Sequence, residues 1–351
     1  MKIRHELTPY FCDTYGIDRD KDYPVEWINP RTLLVSERLD LVAKVKYIEA
    51  RESGQIAPFI RDCYVKHIEA FSYGTFKESG SKEKDSIVKY IDTFHQLIDA
   101  IKASGFDASK SVIPVGEGNI LLDGAHRAAV AIYFNKKIPI IRIPGAKVTY
   151  DAAYFRKRLL GGLCLDYLML EYAKMRTTVN LAYVSPAIHT KEPLMQQLRK
   201  AVSQDGKLIY SKKITFPNTP EGDFSTVIEN LTTTKSSSQN HSLKSFSLYL
   251  FETSDKAALD AIQAHAQELF RNNKHAVHFT TEPEEVIRQL QLLLAADQAN
   301  SQRIRNRITS KTQLAYKRLV YKQRVLLLRT LKRLGLFTAF RKIYRGLRKD
   351  A

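Results

Sequence analysis

The chain has 351 residues, 44% of them hydrophobic and 26% charged, which allows two domains of ordinary size and excludes a wholly disordered protein. Its three cysteines, Cys12, Cys63 and Cys164, stand far apart without CxxC spacing, which argues against a disulfide scaffold or a cysteine zinc site and fits a reducing compartment. The net charge of +18 is concentrated: residues 301–351 hold 16 Lys or Arg and one acid, while residues 1–300 balance 39 basic against 36 acidic side chains, a basic tail on a near-neutral body rather than a nucleic-acid-binding surface.

In chain order, residues 1–24 read as an irregular lead-in. From Val25 the run VEWINPRTLLVSERLDLVAKVKYIEARESG predicts a short strand, a loop and a helix whose face is set by Leu39, Val42, Ala43 and Tyr47. Residues 60–76 predict a helix ending near Gly74, followed by the polar loop ESGSKEKDS. Ile87, Tyr90, Ile91, Phe94, Leu97, Ile98 and Ile101 recur at three and four, an amphipathic helix with Gly105 at its C-cap. The period then changes. SVIPVGEGNILLDG reads as strand, turn at Gly116 and Gly118, and strand; AHRAAVAIYFNKK as a short helix ended by Asn135; IPIIRI as a buried strand. Residues 25–150 thus form an α/β domain. Residues 165–295, with three more strands and two helices around the low-complexity loop TTTKSSSQNHS, form a smaller α/β domain.

The chemistry gathers where strand meets helix, at LLDGAHRAAV. A helix start offers backbone N–H groups to anions. Gly124 lets a phosphate approach the backbone, His126 and Arg127 can clamp its oxygens, and Asp123 can hold Mg²⁺ or act as base. Asp40 and Glu69 are candidate further catalytic carboxylates, and Arg38 and Lys44 can neutralise phosphate charge. The same turn would also serve as a plain N-cap with a surface ion pair, and Arg38, Asp40 and Lys44 as ordinary helix-face pairs.

LLDGAHRAAVAIYFNKKIPIIRI resembles the signature of the ParB/sulfiredoxin-like superfamily, in which a D-G-x-H-R turn joins a strand to a helix and an I-P-hydrophobic strand closes the unit. Arg38, Asp40, Lys44 and Tyr47, with His67, Ile68, Ala70 and Phe71, resemble a subgroup of that superfamily associated with surface-polysaccharide biosynthesis loci. The likeness covers roughly residues 25–145. It implies a nucleotide-binding domain and, in several members, phosphotransfer. Sulfiredoxin chemistry is excluded, because Ala125 stands where its cysteine nucleophile belongs. The helix-turn-helix of the centromere-binding members is not read after the signature.

In the second half, His275 and His278 have H-x-x-H spacing but lack a third zinc ligand; Thr281 before Glu284 and Glu285 reads as a helix N-cap. KHAVHFTT also resembles the core of a second domain of the polysaccharide-locus proteins, departing from it at Ala276 and Thr280. No secretory leader or membrane-spanning run is read. In the tail, Phe337, Phe340, Ile343, Tyr344 and Leu347 line one helical face opposite Arg341, Lys342, Arg345 and Arg348, the pattern of a helix lying in an anionic membrane interface. The expectation is a cytoplasmic enzyme peripherally bound to the inner face of the membrane. It would use Mg²⁺ and a nucleoside triphosphate, ATP foremost, to phosphorylate a sugar or glycan precursor. The tail would meet anionic lipid or a membrane-bound glycosyltransferase. A ParB-like DNA-binding or nucleotide-switch protein and a non-enzymatic membrane scaffold are the alternatives.

Overall fold

The computed structural model describes residues 7, 9–15, 17–18, 20–76, 85–107, 112–184, 191–216, 244–273 and 276–304, with 319, 323 and 330 singly. The low-complexity loop, His275 and the nine tail residues named above lie outside the described residues.

The protein mixes helices with two sheets. The first sheet has the order β1-β3-β2, from β1 (Glu26–Ile28), β2 (Ile113–Val115) and β3 (Ile138–Arg142). β3 is central, antiparallel to β1 and parallel to β2, which is why its first four residues, IPII, are apolar and buried rather than alternating. Ile138 and Ile140 enter the main core, while Ile141 faces a separate cluster with Leu7, Phe11, Cys12 and Ile17. The lead-in is therefore not irregular: it contains α1 (Pro9–Tyr15). A strand that is apolar on both faces needs covering on both, and this segment covers the second one.

Four helices share the core cluster on the other face: α2 (Leu39–Glu52), α3 (Pro58–Ser72, packed on α2), α4 (Ile87–Ser104) and α5 (Ala125–Phe134). The predicted apolar positions Leu39, Val42, Ala43 and Tyr47 are all buried. α5, the crossover between parallel β2 and β3, packs on α2 and α4; its run Ala128–Ala131 is fully buried, and the small side chains permit that close approach. Asn135 ends it at φ 50° and Gly105 ends α4 at φ 74°. The expected second strand of the Gly116 hairpin shrinks to one bridge, Leu121 with Val115. β3 already pairs with β2, and the chain must turn at once into α5.

After α6 (Ala152–Lys157) and α7 (Gly162–Met175), a second sheet forms from β4 (Val179–Val184), β5 (Gly206–Phe216), β6 (Lys244–Thr253) and β7 (Val277–Thr280), ordered β5-β6-β4-β7 with every neighbour antiparallel. Alternation sorts its faces. Ala182, Val184, Tyr249 and Phe251 meet α8 (Glu192–Asp205) and α9 (Lys256–Leu269). Leu181, Tyr183, Leu248 and Leu250 turn to the opposite face, onto α7 and α10 (Pro283–Ile304). That second face belongs to the same core cluster as α2 to α5, so the hydrophobic interior does not divide between the two sheets. α7, α8 and β7 are elements that periodicity did not reveal. α7 is apolar nearly all round because it is sandwiched, with eight of its 14 residues buried.

Gly116 has ordinary φ, but a Cβ there would fall on the Ala146 carbonyl. Gly116→Ala should cost about 1–3 kcal/mol in urea unfolding. Gly161→Ala, at φ −58° and facing open space, should stay within about 0.5 kcal/mol.

Candidate functional site: the Asp123–Arg127 turn

The turn leaves β2 through the Leu121 bridge and reaches the start of α5 in three residues. Gly124, the N-cap, has φ 77° and ψ 29°, a left-handed backbone that glycine adopts without penalty. A Cβ there would sit 2.5 Å from Ile113 Cδ1 and 2.8 Å from the Arg127 guanidinium. No side chain caps α5, so the positive end of its dipole is not answered by a local carboxylate in the usual N-cap manner. The Asp123 side chain is 54% exposed and lies 3.9 Å from the partly exposed Arg127. His126 is half-buried, with Nε2 2.9 Å from the Tyr64 hydroxyl. Tyr64 is fully buried on α3, its ring 4.4 Å from Tyr47 and 5.5 Å from Phe94, and Phe94 meets the His126 ring edge-on at 4.5 Å. His126 is thus held by an aromatic wall that no motif announced; the only sign was an apolar tyrosine one turn before His67.

Beneath the turn lies a buried polar quartet: Arg38, Asp40, Lys44 and His67, each no more than 2% exposed. Arg38 pairs bidentately with Asp40, Nε to Oδ1 at 2.8 Å and Nη2 to Oδ2 at 2.9 Å. Lys44 Nζ donates to Asp40 Oδ2 at 2.9 Å. These two cations, winning over burial, hold the Asp40 carboxyl far below the usual carboxylate range. The remaining Arg38 N–H donors reach further: Nη1 donates to the Leu121 carbonyl, two residues before Asp123, and the guanidinium lies 5.0 Å from the Tyr150 ring centre. Lys44 also contacts His67 Nε2 at 3.2 Å. An ammonium has only protons to offer, so Nε2 accepts and Nδ1 carries the ring hydrogen. Nδ1 is buried without a hydrogen-bond partner. Burial, and then Lys44, push His67 well below its ordinary value, so the ring is neutral.

This geometry revises three of the expected roles. Asp40 has both oxygens taken by cations and no exposed edge, so it fits the part of a counter-ion and not of a base. Arg38 and Lys44 face inward and hold the turn from below rather than contacting phosphate directly. Glu69 is half-buried, two residues from the inward His67 and on a different side of α3. Asp123, Gly124, His126 and Arg127 are brought together. The quartet carries one more positive charge than negative, and Asp123 is an outer acid that interacts with Arg38.

In the second sheet His278 lies on β7 and stacks on Tyr183 at 4.7 Å. Among the described residues no group of three or more His, Cys, Asp or Glu comes together as a metal set. For Mg²⁺ the fit is narrower: Asp123 is the one exposed carboxylate of the turn that would hold it, and Mg²⁺ is commonly held by one or two carboxylates together with substrate phosphates. No family model, curated protein or solved structure matches the chain.

Asp40→Ala leaves two buried cations uncompensated and should cost about 3–5 kcal/mol in equilibrium unfolding. Acid should destabilise the protein in two stages. Unfolded His67 takes a proton near pH 6.5 that the folded ring refuses, so stability falls below that pH by up to about 1.4 kcal/mol per pH unit. Unfolded Asp40 does likewise near pH 4, steepening the loss. His67→Gln should flatten the limb between pH 6.5 and 5, as read by unfolding midpoints against pH.

Proposed function

We propose that the Asp123–Arg127 turn binds the phosphates of a nucleotide, and that the protein is a phosphotransferase using a nucleoside triphosphate, ATP foremost, with Mg²⁺. The observation that carries this reading is the start of α5: a helix of ten residues, without a side-chain cap, entered through a left-handed glycine above a buried excess positive charge. Anions are favoured there by the helix dipole, the backbone N–H groups and the cation below. In this reading Gly124 gives backbone access and Arg127 neutralises phosphate oxygens. His126, oriented by Tyr64, contacts the phosphates from the side. Asp123 takes the metal or the acceptor proton, and Glu69 is the remaining second carboxylate. Asp123 would hold Mg²⁺, which would supply positive charge to offset the charge that develops in transfer.

The kinship with the ParB/sulfiredoxin-like superfamily is part of the proposal, supported by the unit of β2, turn, α5 and parallel β3. That the acceptor is a hydroxyl of a sugar or glycan precursor rests on the likeness of residues 38–71 to the polysaccharide-locus subgroup. Attachment to the inner membrane surface rests on the residue pattern of 337–348. Among the described residues no helix is long and apolar enough to cross a membrane.

The test is thermal unfolding of the full chain with Mg²⁺ and ATP, ADP, GTP or CTP in turn. At about 100 times its dissociation constant the right nucleotide adds roughly 2.7 kcal/mol, a rise of a few degrees in melting temperature for a chain this size. Arg127→Ala and Asp123→Ala should shrink the rise while leaving the ligand-free melting temperature nearly unchanged, since both side chains are outside the core. The reading is lost if none of the four nucleotides shifts the wild type.

A further inference from the structure

We infer that Cys63 and Cys164 are a convertible thiol pair, which oxidation joins into a disulfide between α3 and α7. The two residues are 101 positions apart in the chain, yet their sulfurs lie 2.7 Å from one another. Both are reduced and buried, 2% and 3% exposed. Small changes in side-chain torsion bring such sulfurs to the bond length of about 2.05 Å. Cys12, the third cysteine, is buried in the separate cluster on the far face of the first sheet, so it is an internal control.

Burial keeps bulky disulfides out and selects a small oxidant, of which hydrogen peroxide is the simplest. Cys63 donates its S–H to Cys164, and that bond together with burial holds the Cys63 thiol above its ordinary range. The two sulfurs are placed alike, and when Cys164 is the one that loses its proton it attacks first. Its thiolate takes one peroxide oxygen as the O–O bond breaks, giving a sulfenic acid and hydroxide, which is protonated to water. The Cys63 sulfur then attacks the Cys164 sulfur; the S–S bond forms, the S–O bond breaks, and the proton of Cys63 leaves with the hydroxyl as a second water. Two thiols are oxidised by two electrons and one peroxide is reduced to two waters.

The bond would fasten the neighbour of Tyr64, the residue that holds His126, to the helix packed against the second sheet. It would also close a loop of about a hundred residues, the length at which cross-linking constrains the unfolded chain strongly. The inference depends on neither nucleotide binding nor catalysis.

The experiment treats the reduced full-length protein with hydrogen peroxide, quenches it, alkylates it under denaturing conditions and maps it without reductant. The expected result is loss of two hydrogens, one alkylated cysteine (Cys12) and a cross-linked peptide pair holding Cys63 and Cys164. The melting temperature should rise by several degrees and return with dithiothreitol. Cys63→Ala and Cys164→Ala should abolish the rise and Cys12→Ala should keep it; if either of the first two does not fold, the wild-type map decides. Three alkylated cysteines after peroxide, a cross-link through Cys12, or oxygen added to a single sulfur would each overturn the inference.

Discussion

Asp40 is a carboxylate taken out of water and given two cations, Arg38 and Lys44, in exchange. An isolated charge so placed would be far too costly to keep, so the three side chains must arrive together, and what each cation touches next arrives with them. Through Arg38 the pair reaches the Leu121 carbonyl and the Tyr150 ring; through Lys44 it reaches His67 on α3. The start of α2, the entry to the turn, the 150 segment and α3 are thereby tied to one point. Replacing such a cluster by apolar residues can be neutral, but removing one member is not. The constraint therefore specifies an arrangement more than it adds stability.

That arrangement sorts charge by depth. Arg38 and Lys44 are sealed beneath the turn, while Asp123 and Arg127 stand at its surface. The buried cations cannot leave with a ligand or be screened by salt as exposed ones are, so they supply a standing positive field under an uncapped helix start. Tyr64 joins the two layers: it belongs to the aromatic core by its ring and to the turn by its hydroxyl.

α7 is the second organiser. It carries Asp166, Glu171 and Tyr172 into a buried seam, and each is met. Asp166 accepts from Tyr210 and Lys212 at 2.5 Å each, Glu171 pairs with Lys46 of α2 at 3.0 Å, and Tyr172 donates to Glu252 at 2.8 Å. Cys164 meets Cys63. Polar groups that need one specific partner act as register marks between surfaces that hydrophobic contact alone would let slide. The two sheets, each legible as its own α/β segment, are joined through this helix into one core.

Local pattern in the amino-acid sequence was enough for α2, α4, α5 and β3, for the caps at Gly105 and Asn135, and for the gathering of Asp123, Gly124, His126 and Arg127, which are neighbours in the chain. Period and capping are properties of a few consecutive residues, so they can be read there. α7 escaped because burial nearly all round erases the periodic signal, and α1 because seven residues are too few to show one. The roles of Arg38, Asp40 and Lys44 escaped for a different reason. Three charged residues on one helix read the same whether solvent or a second helix lies opposite, and only packing against α3 and the 121–124 turn turns them from surface charges into a buried ion cluster. The meetings of Tyr64 with His126 and of Cys63 with Cys164 span 62 and 101 residues; no local pattern encodes a contact that only the closing of the core brings about.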